Sequence, residues 1–271
     1  MNRFLRISLV DFLNARPLTW GLLHEPPRDV EVSRDLPSVC ADKLASGAAD
    51  VGLIPSIEYQ RIPGLRVVPG LGIAASSEVR SVLLVSNVSR ERIRSVELDP
   101  ASRTSAALVR ILLKRVYGLS PEYREASSTS VDSPPASRLP PDGGSHARLI
   151  IGDPALKTRL NGQVVLDLAA EWRAFSGHSF VFAFWAAREG VDAGRVVSIL
   201  RRSYESGRER FEDLVRGEAE ETGLSAAVIE DYLRHSLHYE LEASDRQGLD
   251  LYYRLAAEEG LIASVRRLEE L

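Results

Sequence analysis

The sequence predicts a two-lobed α/β protein in which each lobe is a mixed, mostly parallel sheet flanked by helices. Three observations carry this reading. Between Phe4 and Ile73, short apolar runs alternate with amphipathic stretches at the spacing of parallel strands joined by crossover helices. The same alternation restarts after Ser86. Beyond Asp192 the pattern turns almost wholly helical, which supplies the cover that the first sheet lacks.

Taken in order, residues 4–10 read as a strand, and 14–23 as a polar turn opening a helix. Pro17 suits that first turn, where its missing N–H costs nothing. Residues 31–35 are a partly polar strand, and 39–46 a helix stopped by Gly47. Residues 49–54 are a buried-type strand running into Pro55-Ser56-Ile57-Glu58-Tyr59, and 67–73 a further strand. The strongly apolar 81–86 closes the first lobe. In the second, 93–98 is a strand, 99–103 a turn, and 104–117 an amphipathic helix ended by Gly118. Residues 126–146, rich in Ser, Pro, Asp and Gly, read as a mobile surface loop. Then come a strand at 147–151, a helical stretch at 167–172 and a long apolar strand at 180–187. Residues 196–215, 225–233 and 245–259 are helical, with a short strand at 237–241. The division expected is 1–85 plus 188–271 for one lobe and 86–187 for the other, with a ligand cleft between them.

Composition narrows the function. A net charge of -4 over 271 residues offers no basic face for nucleic acid. No run approaches the ~18 apolar residues of a membrane helix, and the N-terminus does not read as a signal peptide, so a cytoplasmic protein is expected. The single cysteine, Cys40, excludes an intramolecular disulfide. Its neighbours Leu36, Val39 and Leu44 fall at helical spacing, as for a buried, inert thiol. There is no Gly-x-Gly-x-x-Gly, no phosphate-loop lysine and no Gly-x-Ser-x-Gly. His24, His146, His178, His235 and His238 show no paired metal spacing. Surface or satisfied histidines are the plain reading. Trp20, Trp172 and Trp185 read as core or lobe-interface residues, and the arginine run at 201–210, mixed with Glu, as a solvated helix face.

In open parallel sheets, ligands bind beyond the carboxyl ends of strands. Asn14, Ser56, Ser102 to Ser105 and Asp153 all sit at such ends. Ser102-Arg103-Thr104-Ser105 opens a long helix, whose unpaired N–H groups favour an anion; a cap with a surface arginine is the plain alternative. Asn14 offers an amide that orients a hydroxyl without taking its proton, or makes an Asx turn. Asp153 is a general base or the cap of a helix at Ala155. Ser56 and Ser81 are weak signals singly.

Four ordered motifs carry a resemblance. They are Asp11-Phe12-Leu13-Asn14-Ala15-Arg16-Pro17-Leu18, Val51-Gly52-Leu53-Ile54-Pro55-Ser56-Ile57-Glu58-Tyr59, Leu98-Asp99-Pro100-Ala101-Ser102-Arg103-Thr104-Ser105 and Leu149-Ile150-Ile151-Gly152-Asp153-Pro154-Ala155-Leu156. With Glu171-Trp172-Arg173 and Phe180 to Trp185, they resemble the chorismate dehydratases of the futalosine route to menaquinone, over nearly the whole chain. The resemblance implies a type II periplasmic-binding-protein fold and the dehydration of chorismate without metal or organic cofactor. It implies that Asn14 and Ser81 act on the substrate and that Thr104 and Ser105 form a helix-start anion site. Arg16, Ser56, Ser102, Arg103 and Asp153 complete the expected substrate-binding set. One departure is Phe12, where the family often has Tyr; it is expected outside the site. Two rivals stand beside this reading. One is a binding module of the same fold. The other is the sister enzyme forming dihydroxynaphthoate, expected to use a histidine base in the second lobe, where this chain offers only His146 and His178. A homodimer is left open.

Overall fold

A computed structural model describes residues 4–126, 145–158, 160 and 162–271. β1 (Leu5–Val10) leads through a 3-10 turn (Leu13–Ala15) into α1 (Arg16–His24). β2 (Val30–Asp35), α2 (Pro37–Ser46), β3 (Val51–Pro55), α3 (Glu58–Arg61) and β4 (Leu65–Ala75) follow. Next come β5 (Val82–Ser86), β6 (Ser95–Leu98), α4 (Arg103–Arg115), β7 (Glu122–Glu125), β8 (His146–Ile151), α5 (Asp153–Lys157), β9 (Val164–Asp167) and α6 (Leu168–Ser176). The chain ends with β10 (Phe180–Arg188), α7 (Ala193–Glu209), α8 (Phe211–Thr222), α9 (Ala226–Asp231), a π-helical turn (Tyr232–Ser236), β11 (His238–Glu240) and α10 (Ala243–Glu258).

Two sheets result, in strand orders β11-β4-β10-β3-β1-β2 and β7-β6-β8-β5-β9. β1 runs parallel to β2 and β3, and β6 parallel to β7 and β8. The ladders of β4, β5 and β10 with other strands are all antiparallel, apart from an isolated parallel bridge between Val67 of β4 and Glu270. Both sheets are therefore mixed, and neither is mostly parallel: the strands next to the crossings enter each sheet against the direction of its parallel core. Two strands fall on the other sheet from the one expected. β5 pairs with β8 and β9, and β10 lies between β4 and β3. The chain thus leaves the first sheet after Ala75 and returns at Phe180, and these two residues face each other across one ladder.

β3 is buried along its whole length, as a continuous apolar run covered on both faces must be. β7 and β9, short edge strands, were not expected from the sequence. The expected helix over 196–215 is two helices, α7 and α8, divided at Arg210. Of the expected loop at 126–146, residues 127–144 lie outside the described residues, and His146 already belongs to β8.

One apolar core runs through both sheets, from Leu9 and Leu53 to Leu84, Leu108 and Leu149. Trp172 and Trp185 are wholly buried in it, while Trp20 is half-buried and stacks on His24. Cys40 is fully buried, and burial pushes its thiol up to about 12, consistent with inertness. The C-terminal helices do pack back on the first sheet. α7 lies so close to α1 that a Cβ at Gly207 would stand 2.3 Å from the Pro17 carbonyl oxygen. Among the described residues, no helix is long and apolar enough to cross a membrane.

Candidate active site

The polar strand ends converge on one small cavity between the two sheets. Asn14 reaches it from the turn after β1, Ser81 from the first crossing, and Ser102 and Ser105 from the start of α4. The rest of its wall is apolar, with Phe12, Ile73, Val79 and Phe182 prominent, and no ionisable side chain among the described residues lines it. Its free volume is about 50 Å³, room for a few waters.

Each polar group is held in a defined state. Asn14 Oδ1 is buried and has no hydrogen-bond partner, an uncommon condition for a buried polar atom. Ser81 is buried; its Oγ accepts from the Tyr232 phenol at 2.7 Å, and its carbonyl accepts from Gly152 N–H at 2.8 Å. Ser102 Oγ donates to Ser105 Oγ at 2.7 Å, which leaves the Ser105 proton free to turn inward. The first helical bond of α4 runs from Ala106 N–H to the Ser102 carbonyl, so the N–H groups of Arg103, Thr104 and Ser105 have no acceptor inside the helix. With the helix dipole they make this end of the cavity favourable to an anion.

The remaining expected residues stand behind the wall and tie the halves together. Thr104 Oγ1 accepts from Ile57 N–H at 3.2 Å and lies 3.4 Å from Ser56 Oγ, which donates to the Val181 carbonyl at 2.8 Å. Tyr252 and Tyr253 of α10 donate to the Thr104 and Ser56 carbonyls at 3.0 and 2.6 Å. Arg103 points outward to Asp42 and Glu58, at 2.9 and 3.0 Å. Arg16 is buried between Glu218, 2.7 Å away, and Asp11, 2.8 Å away. Neither guanidinium lines the cavity; both are saturated by carboxylates from elsewhere in the chain. Asp153 does not cap α5, whose cap position is Gly152. It accepts from Leu13 N–H at 3.0 Å and so fixes the Asn14 turn from the other half, while burial pushes its carboxyl above the usual range.

Phe12, expected outside the site, lines the cavity, and its ring packs on Gly152. Gly152 has φ 65° and ψ -149°, a region open essentially to glycine alone. A Cβ there would lie 3.1 Å from the Phe12 ring. Gly152→Ala is therefore expected to destabilise the fold by about 1–3 kcal/mol, read as a lower urea midpoint, and to shift Phe12 into the cavity. Tyr232 gives no local signal in the sequence, since it arrives from a π turn far along the chain; such turns are frequent at functional sites.

A larger surface groove of about 960 Å³ shares Leu237 with the cavity. Two of its polar side chains already have carboxylate partners: His238 Nε2 lies 2.9 Å from Asp245, and Arg208 lies 3.1 Å from Glu240. It collects none of the strand-end residues. Among the described residues, no three His, Cys, Asp or Glu side chains gather as metal ligands.

Two mixed sheets closing on a cleft define a protein of the periplasmic-binding-protein-like class. The periplasmic aliphatic sulphonate binding protein SsuA of Escherichia coli shares this fold at TM-score 0.64 and 18% identity, over 99% of this chain and 94% of that one. A structural-genomics protein of Archaeoglobus fulgidus superposes at TM-score 0.75 and 14% identity, over 95% and 98%. The chain belongs to the menaquinone biosynthesis family, whose sequence profile matches residues 5–258. It is 29% identical to the chorismate dehydratase of Thermus thermophilus over 256 residues, 91% of this chain and 93% of that one.

Proposed function

We propose that this chain is a chorismate dehydratase, a cytoplasmic lyase that converts chorismate to 3-[(1-carboxyvinyl)oxy]benzoate and water. The observation that carries the proposal is the pairing, in one small cavity, of an unpartnered acceptor, Asn14 Oδ1, with a hydroxyl, Ser81, beside the N-terminus of α4. Membership of the menaquinone family and the likeness to the Thermus thermophilus enzyme support it.

Chorismate carries a ring hydroxyl and two carboxylates. In the proposed reaction, the ring carbon bearing the ether loses a proton and its neighbour loses hydroxide. These combine as one water, and the ring becomes aromatic, which drives the step forward. Asn14 Oδ1 accepts the hydrogen of the leaving hydroxyl and Ser81 donates to its oxygen, fixing its departure. The α4 N–H groups hold a carboxylate. Among the described residues no ionisable side chain lines the cavity, and in this reading a carboxylate of the substrate itself is the proton acceptor. The cavity is far smaller than the ~300–1,000 Å³ of ligand sites. The halves must part to admit chorismate, then close to exclude water.

The sister reaction, with a histidine base, has less support. His146 bonds to Ser95 at the start of β8, and His178 lines the outer groove; neither lines the cavity. Mixing the protein with chorismate and following ultraviolet absorbance is the test. Appearance of a benzoate spectrum is expected; tight binding with an unchanged spectrum would leave a binding module and overturn the proposal.

A further inference from the structure

Behind Ser81 stands a group that touches neither cavity nor solvent. Tyr232 is 1% exposed and does not line the cavity. It is carried by the π-helical turn between α9 and β11, while Ser81 sits on the first crossing. Its phenol lies 2.7 Å from Ser81 Oγ. A buried donor without an acceptor costs the full desolvation of that group, and among the described residues Ser81 Oγ is the acceptor within reach of this one. The phenol proton therefore occupies one lone pair of Ser81 Oγ, and the serine's own proton has to point elsewhere. The elsewhere on offer is the cavity that Ser81 lines.

We infer that Tyr232 is a positioning residue that sets the Ser81 hydroxyl as a hydrogen-bond donor to the bound ligand. This rests on the dehydratase reading, and gives it a polarity: Ser81 donates, Asn14 Oδ1 accepts, and a substrate hydroxyl fits between them with both its hydrogen and its oxygen engaged. The pair selects for a hydroxyl at that point of the ligand. A carbonyl or ether oxygen, lacking a hydrogen, leaves Asn14 Oδ1 unmatched.

The test is a double-mutant cycle of Tyr232→Phe and Ser81→Ala, read on kcat, KM and thermal midpoint. Tyr232→Phe keeps the ring and removes the oxygen. It is expected to lower kcat for chorismate on the order of tenfold with KM nearly unchanged, since an unoriented Ser81 still fits the ligand. In the Ser81→Ala background the same change is expected to cost nothing further in kcat. A merely structural tyrosine gives equal losses in both backgrounds, moving with the midpoint, and that result overturns the inference. The wild type separates the two levels. No aromatisation by the wild type sinks the dehydratase reading and this role with it; wild-type turnover with an additive cycle sinks only the role of Tyr232.

Discussion

Asn14→Ala is expected to lower kcat for chorismate by roughly two to three orders of magnitude while leaving the thermal midpoint unchanged or slightly raised. The two halves of that outcome share a cause. Asn14 Oδ1 is buried without a hydrogen-bond partner, so removing it breaks no hydrogen bond and takes away an unsatisfied polar atom. No hydrogen bond of the fold depends on it; in the proposed reaction it is, among the described residues lining the cavity, the one that offers an amide acceptor. A loss of activity that merely followed a loss of stability would point to a structural asparagine. Near wild-type turnover would remove Asn14 from the chemistry and with it the observation on which the proposed function rests.

Arg16→Ala is expected to destabilise the fold by about 3–5 kcal/mol, the range for removing one partner of a buried ion pair. Arg16 and Glu218 are both 6% exposed, joined at 2.7 Å, and link α1 to α8. Burial already lifts the Glu218 carboxyl above its usual range against the pull of Arg16. Without the guanidinium that lift grows. A carboxyl whose folded-state pKa is raised costs stability as pH rises through that value, and costs none below its unfolded pKa. The deficit of the variant is therefore smaller in acid and larger at neutral pH. Urea midpoints measured on both sides of that range check the sign. A pH-independent loss would show that packing around the arginine stem, not charge, is what was lost. The double change Arg16→Met with Glu218→Leu is expected to recover much of the stability, because no charge is then left buried alone.

What could be read from the sequence follows from how local each signal is. β1, β3, β5 and β10 are apolar runs visible residue by residue. β7, reading Glu-Tyr-Arg-Glu, is an exposed edge strand with no apolar alternation to betray it. The sheet to which β5 and β10 belong is a matter of pairing between distant segments, and no window of sequence contains it. The site divides the same way. Asn14, Ser102 and Ser105 could be placed because a polar residue at a strand end or helix start is a local pattern. Ser81 needed the family resemblance. Arg16 and Arg103 looked like anion donors for the same local reason, yet Glu218 and Asp42, which saturate them, come from distant elements. Phe12 and Tyr232 show the converse: their roles depend on Gly152 and Ser81, over a hundred residues away in each case.

The position of β10 has a consequence for how the chain is made. It lies between β4 and β3, so until residue 188 has left the ribosome β4 has no route to the parallel strands β1, β2 and β3. The earlier part of the first sheet must wait, with the β3 edge unpaired, while the whole second sheet is synthesised. An unpaired apolar edge is a template for aggregation, and pairing across so long a loop is slow. The nascent chain is then most vulnerable in the interval between the emergence of β4 and that of β10, the period in which a ribosome-bound chaperone has something to cover.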